Sequence, residues 1–221
     1  MGSERLPGKT LTTVAGRPLL GYLLDRLQAC RSVREVVVAT SNQPADDAVA
    51  EFCAARALRC VRGSHLDVAG RFTAVLAECP AEAFVRISGD SPLLDATVVE
   101  RGVALFAHGD WDVVTNVMPR SYPPGQSVEV VSSSCFLEAY PRMAAEDELE
   151  HVTRYFYKHP DQFRILNFSA PVDYSGISLT IDTAEQLETF RRVVARMKRA
   201  PQDHSLDEVV GLYREVDTAR E

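Results

Sequence analysis

The residues most suited to chemistry stand at the start of the chain, in "MGSERLPGKTL". Gly2 and Ser3 offer backbone N–H groups, Arg5 and Lys9 are cations, and the Pro7-Gly8 turn presents them, a combination suited to gripping phosphate. The spacing is not that of a Walker A loop, because Ser3 stands where that motif needs its first glycine and no strand precedes it. A solvated basic turn fits the same residues. Two aspartates elsewhere follow apolar runs: Asp90 after "FVRISG" and Asp182 after "ISLTI". Carboxylates leaving the ends of two strands could hold a Mg²⁺ ion together with substrate phosphates. Each also has a purely structural reading. Asp182-Thr183-Ala184-Glu185 fits a helix N-cap with a capping box, and "GDSP" fits a turn. Asp95 reads as a plain N-cap before "ATVVERGV". His151 beside Glu150 fits a surface pair, with no Ser or Cys placed beside it as a nucleophile.

The elements that must position these groups alternate. "PLLGYLLDRLQAC" puts Leu19, Leu20, Leu23, Leu24 and Leu27 on one helical face, and "EVVVAT" follows as a strand. "ADDAVAEFCAARA", "DVAGRFTAVLAEC" and "ATVVERGVALFAH" read as helices, with strands "LRCVRG", "AFVRIS" and "WDVVTN" between and after them. This alternation predicts a Rossmann-like α/β fold, a mostly parallel twisted sheet covered by helices. The Pro-rich "PRSYPPGQSVEVVS" predicts a hairpin excursion away from that sheet near 118–132. Beyond it, "EDELEHVTRYFYKHP" and "AEQLETFRRVVARMK" read as helices, "FRILNFS" and "SLTID" as strands, and "LDEVVGLYREV" as a last helix.

The chain has 221 residues, a length suited to one α/β domain over 1–221. Its net charge of −7 argues against a nucleic-acid polymer as partner but leaves room for a small anion at a local basic patch. No apolar run approaches the roughly 20 residues of a membrane span. Five scattered cysteines without a C-x-x-C pair indicate neither a disulfide framework nor a zinc site, and fit a reducing cytoplasm.

Taken together, "MGSERLPGK", "EVVVATSNQPADD", "VRGSHLDVAGRF", "VRISGDSPLLD", "YPPGQSVEV", "EHVTRY" and "LTIDTAEQLE" resemble, in order and over nearly the whole chain, the cytidylyltransferases that activate sugar acids. These include CMP-KDO and CMP-sialate synthetases, and the likeness is closer to the branch of spore-coat polysaccharide biosynthesis proteins. The resemblance implies a glycosyltransferase-A-like nucleotidyltransferase fold, a homodimer, and CMP transfer from CTP to a sugar acid or related sugar or phosphonate acceptor. By it, Gly2, Ser3, Arg5 and Lys9 would hold the triphosphate, Asp90 and Asp182 the Mg²⁺, and Ala39, Thr40, Ser64 and Ser88 the cytidine. Arg120, Glu129, Glu150 and His151 match positions near the acceptor. Pro124 and Ser127 replace two aspartates common in relatives, which leaves the acceptor unnamed. Relatives also carry a hydrophobic strand and a phosphate-facing arginine ahead of the signature; the expectation is that this chain lacks that first strand and that Met1 is internal to a longer protein. A glycosyltransferase using a nucleotide sugar, a non-catalytic nucleotide-binding or dimer scaffold, and a nucleotidyltransferase using another base are the alternatives.

Overall fold

The computed structural model describes residues 8–218. Gly8 takes a left-handed conformation (φ 67°) that a glycine adopts without steric cost, and the chain then runs through a short 3₁₀ turn, Lys9–Leu11. A small hairpin of β1 (Thr13–Val14) and β2 (Arg17–Pro18) leads into α1 (Leu19–Leu27). The leucines of α1 are buried as its periodicity requires.

Strands and helices then alternate: β3 (Val37–Ser41), α2 (Asp47–Ala55), β4 (Arg59–Gly63), α3 (Val68–Glu78), β5 (Ala83–Arg86), α4 (Ala96–Ala107) and β6 (Val113–Thr115). The next elements are β7 (Glu129–Ser132), α5 (Ser133–Ala139), α6 (Glu146–Glu150), α7 (Arg154–Lys158), β8 (Ile165–Asn167), α8 (Ala184–Arg196) and α9 (Leu206–Thr218). Among the described residues, no helix is long and apolar enough to cross a membrane.

The strands form two main sheets. β3 pairs in parallel with β4, while the other sheet has the order β5-β7-β6-β8. Within the second, β6 and β8 are parallel and β7 opposes both β5 and β6, so all its strands but one share a direction. The segment 118–132 therefore departs from the sheet only in its first part. Its end, β7, returns as the antiparallel strand between β5 and β6, with Val128, Val130 and Val131 at most 2% exposed.

Two local expectations are adjusted and one helix is added. "SLTID" forms no strand pairing; it is tied down by Leu179 N–H donating to the Pro124 carbonyl (2.8 Å) and Ile181 N–H to the Asp90 carbonyl (3.0 Å). Gly125 makes that approach possible, since its φ is 95° and a Cβ there would lie 2.7 Å from the Leu179 carbonyl carbon. "EDELEHVTRYFYKHP" is two helices rather than one, because Val152 between them sits at φ 52°, a costly conformation for a β-branched residue. Finally, α5 arises in "SSCFLEA", capped by Ser132, whose hydroxyl accepts from Cys135 N–H.

Candidate active site

At the carboxyl ends of the strands, three residues distant in sequence converge. The Lys9 ammonium lies 2.6 Å from Asp182 Oδ1 and 3.8 Å from Asp90 Oδ2. Lys9 is brought there by the turn after Gly8, Asp90 by the loop after β5, and Asp182 by the segment held against Pro124 and Asp90. Asp90 also accepts from Ser91 Oγ at 3.0 Å.

Asp182 is not the helix N-cap that its sequence context suggests. The N-cap of α8 is Thr183, whose hydroxyl accepts from Gln186 N–H, while the Gln186 side chain accepts from the N–H groups of Asp182 (2.7 Å) and Thr183 (3.0 Å). The capping box is thus one residue later than Asp182 would need, and the Asp182 carboxylate is left to face Lys9. Asp95 does cap α4, accepting from Thr97 N–H at 2.8 Å, and its other oxygen accepts from Leu206 N–H.

The second part of the site lies at the end of β3. Thr40 and Ala39 stand in register with Arg62 and Val61 of β4, and Ser64 follows β4. Thr40 does not present a free hydroxyl: it donates to Asp46 Oδ2 (2.9 Å), which also accepts from the Ser41 N–H (3.0 Å) and Ser41 hydroxyl (2.6 Å). Burial raises the Asp46 pKa, but the hydrogen bonds it receives outweigh that and hold the carboxyl well below its ordinary value. The Ser64 hydroxyl accepts from Asp67 N–H at 3.3 Å. Ser88, half-buried, stands two residues before Asp90.

A third cluster is centred on Glu129, 3% exposed at the start of β7. Its carboxylate accepts from Arg86 Nη1 (3.1 Å), the Thr153 hydroxyl (2.6 Å) and the Tyr157 hydroxyl (2.6 Å). Burial, and then the Glu129 charge, push the Tyr157 phenol far above its usual pKa. Glu129 thus ties β5 and α7 to β7. Arg120 stands nearby and donates to Ser127 Oγ at 3.1 Å; burial pulls its pKa down, opposed by the charges of Glu129 and Tyr157. Glu150 and His151 are exposed at the end of α6, and among the described residues no side-chain bond joins them to the other clusters. Gly2, Ser3 and Arg5 lie outside the described residues.

Four participants had no sequence argument behind them. Arg86 was visible as a charge inside an apolar strand, and Asp46 only as one of two adjacent aspartates. Thr153 had no signal. Arg71, on α3, is half-buried and packed against Gly63, and its Nε is buried with no hydrogen-bond partner among the described residues.

Among the described residues, no group of three or more His, Cys, Asp or Glu side chains could hold a metal ion by itself. Two carboxylates flanking a cation do suit Mg²⁺, which typically takes one or two carboxylates and completes its shell with phosphate oxygens and water.

The carboxylates and the lysine lie at the carboxyl ends of the strands, where an open α/β sheet places its ligands. A family model described as Cytidylyltransferase matches residues 1–215, and the chain belongs to that family; it is an enzyme of the cytidylyltransferase class. The spore coat polysaccharide biosynthesis protein SpsF of Bacillus subtilis is 30% identical, over all of this chain and 94% of its own length. A cytidylyltransferase structure from Leptospira borgpetersenii superposes with a TM-score of 0.90 at 26% identity, covering 100% of this chain and 91% of that one. The fold is shared with CMP:2-keto-3-deoxy-manno-octonic acid synthetase complexed with CTP, at a TM-score of 0.65, 19% identity, and coverage of 88% and 95%.

Proposed function

We propose that the protein transfers CMP from CTP to a small anionic acceptor, a sugar acid or a related sugar or phosphonate, with release of pyrophosphate. The observation that carries this reading is the convergence of Asp90 and Asp182 on the Lys9 ammonium. An acceptor oxygen attacks the α-phosphorus, a new P–O bond forms, and the bond to the β-phosphate oxygen breaks as pyrophosphate leaves. Lys9, with Arg5 and the backbone of Gly2 and Ser3, holds the outer phosphates and stabilises the charge that gathers on the leaving group. Asp90 and Asp182 would hold Mg²⁺, which when bound neutralises phosphate charge and polarises the α-phosphate. Ala39, Thr40, Ser64 and Ser88 line the cytidine, with Asp46 fixing the Thr40 side chain.

The acceptor is met by Arg120. Ser127 gives this guanidinium a neutral hydroxyl where relatives often have an aspartate, and Glu129 already receives three other donors. That leaves the arginine's positive charge for a carboxylate or phosphonate, which a guanidinium binds in bidentate fashion. Glu150 and His151 are assigned to the acceptor by the resemblance alone.

Incubating the protein with each of the four nucleoside triphosphates, Mg²⁺ and a panel of sugar acids, sugar phosphates and phosphonates, and measuring pyrophosphate, tests the reading. Release with CTP that depends on an anionic acceptor is expected. Release that prefers a different base, or none with any acceptor, contradicts it.

A further inference from the structure

A polar row closes the carboxyl end of the sheet formed by β5, β7, β6 and β8. Arg86 of β5, Glu129 of β7, Thr115 of β6 and Asn167 of β8 stand in register as successive neighbours. Strand alternation fixes the face on which Arg86 and Glu129 act. Phe84 and Val131, two residues away from them, belong to the aromatic core with Phe72 and Phe136, whereas Val85 and Val130 face the core of the α1 leucines. Arg86 and Glu129 therefore cap the aromatic core at the edge of the sheet where Asp90 follows β5.

The other end of the row carries the loop of Arg120. The Asn167 side chain accepts from Met118 N–H (2.9 Å) and donates to the Pro119 carbonyl (3.1 Å), and Arg120 is the next residue. Glu129 favours the charged form of Arg120 as well as bonding Arg86, so two guanidinium groups share one buried carboxylate. From α7, the Tyr157 hydroxyl bonds Thr115 (2.9 Å) and Glu129 (2.6 Å) and covers the row.

Arg86 spends little of its bonding capacity here. Its Nη1 meets Glu129 at 3.1 Å, and among the described residues its remaining N–H groups have no partner. The Arg86 side chain is 23% exposed, against 4% for that of Glu129. An arginine that served only to neutralise a buried carboxylate would present two parallel N–H groups to it. Glu129 instead takes one nitrogen from Arg86 and fills its remaining capacity with the Thr153 and Tyr157 hydroxyls, which holds the guanidinium in place and leaves its other donors available. Two cations around one carboxylate also leave the cluster with a positive charge in excess, because burial keeps Tyr157 neutral. An incoming anion relieves that excess.

We propose that Arg86 binds the anionic group of the acceptor together with Arg120, and that Glu129 positions Arg86 for this. The inference rests on the transfer reading and adds to it a second arginine, set on a strand where Arg120 is set on a loop. Arg86 thereby fixes where the carboxylate or phosphonate lies, and Glu129 acts through Arg86 without touching the acceptor.

Two variants test it. Arg86→Gln keeps an N–H donor for Glu129 but loses the charge, and Arg86→Lys keeps the charge but not the planar fork. Each is titrated calorimetrically with the sugar acids and sugar phosphonates of the panel and with the uncharged amides of the acids, in the presence of a CTP analogue whose α–β bridge is an uncleavable methylene. Thermal midpoints confirm folding, and where Arg86→Gln does not fold, Arg86→Lys decides. Binding of the anionic acceptors is expected to weaken by about tenfold or more in Arg86→Gln and about threefold in Arg86→Lys, while binding of the amides and of the CTP analogue changes by less than about twofold. A loss confined to the acids or to the phosphonates supports the inference and names the anion. Unchanged affinity in either folded variant, an equal loss for acid and amide, or no binding of any panel anion by the parent overturns it. Anion binding that depends on Arg86, in a parent protein that releases no pyrophosphate from CTP, contradicts the transfer reading and upholds the inference.

Discussion

Lys9 and Asp182, separated by 173 positions in the sequence, meet at 2.6 Å. The pair exists because Thr183, and not Asp182, caps α8. On the proposed reading, function and helix stability are thereby divided between adjacent residues. Asp182→Asn is expected to lower pyrophosphate release from CTP at least 100-fold with little change in thermal midpoint. Thr183→Ala is expected to cost about 1 kcal/mol of stability. Measuring both quantities for both variants checks the division; a stability loss in Asp182→Asn equal to that in Thr183→Ala would contradict it.

Lys9 is assigned to the outer phosphates, so its loss should be felt by the triphosphate. Lys9→Ala is expected to weaken CTP binding by tenfold or more and CMP binding by less than threefold, by calorimetric titration. CTP affinity should also fall with added salt, since the contact is partly screened. Equal losses for CTP and CMP would move the lysine away from the outer phosphates.

Glu129 gathers three donors from β5 and from the α6–α7 region, and removing its charge strands them in a buried place. Glu129→Gln is expected to destabilise the fold by about 2 kcal/mol, and Tyr157→Phe by about 1 kcal/mol. Urea unfolding of the two variants distinguishes this anchoring role from a purely substrate-facing one, in which both would unfold like the parent.

Asp46 binds a proton more weakly in the folded protein than in the unfolded chain, so its contribution to stability is present above about pH 4 and is lost as the pH falls further. Asp46→Asn is expected to be less stable than the parent at pH 7 and to lose less stability between about pH 5 and pH 3. Parallel curves of stability against pH for the two proteins would contradict the assignment.

Much of this architecture is legible in the sequence, and what is not has a local cause. The helix of leucines at 19–27 and the strands β3 to β6 follow from period and punctuation, because each buries a regular set of side chains. Residues 178–182 look like a strand for the same reason, being apolar and alternating, but their backbone bonds go singly to Pro124 and Asp90 and form no ladder. The split of α6 from α7 turns on the backbone of Val152, which no pattern announces. In the site, Asp90 could be named because it follows a strand that must end at one edge of the sheet, Asp182 because it closes an apolar run, and Lys9 because it stands in a basic turn beside Gly8. Arg86 and Thr153 could not, because both reach Glu129 from elements whose juxtaposition is tertiary, and Asp46 could not, because its bonds to nearby Thr40 and Ser41 follow no pattern that marks a site.

The account rests on Asp90 and Asp182 acting with Lys9 in CMP transfer, and Asp90→Asn tests this most directly. Pyrophosphate release from CTP should be measured with Mg²⁺ and an acceptor that supports turnover by the parent protein, with circular dichroism confirming the fold of the variant. The expected result is an intact fold and a rate at least 100-fold lower that added Mg²⁺ does not restore. Near-parental release by a folded Asp90→Asn protein would contradict the account.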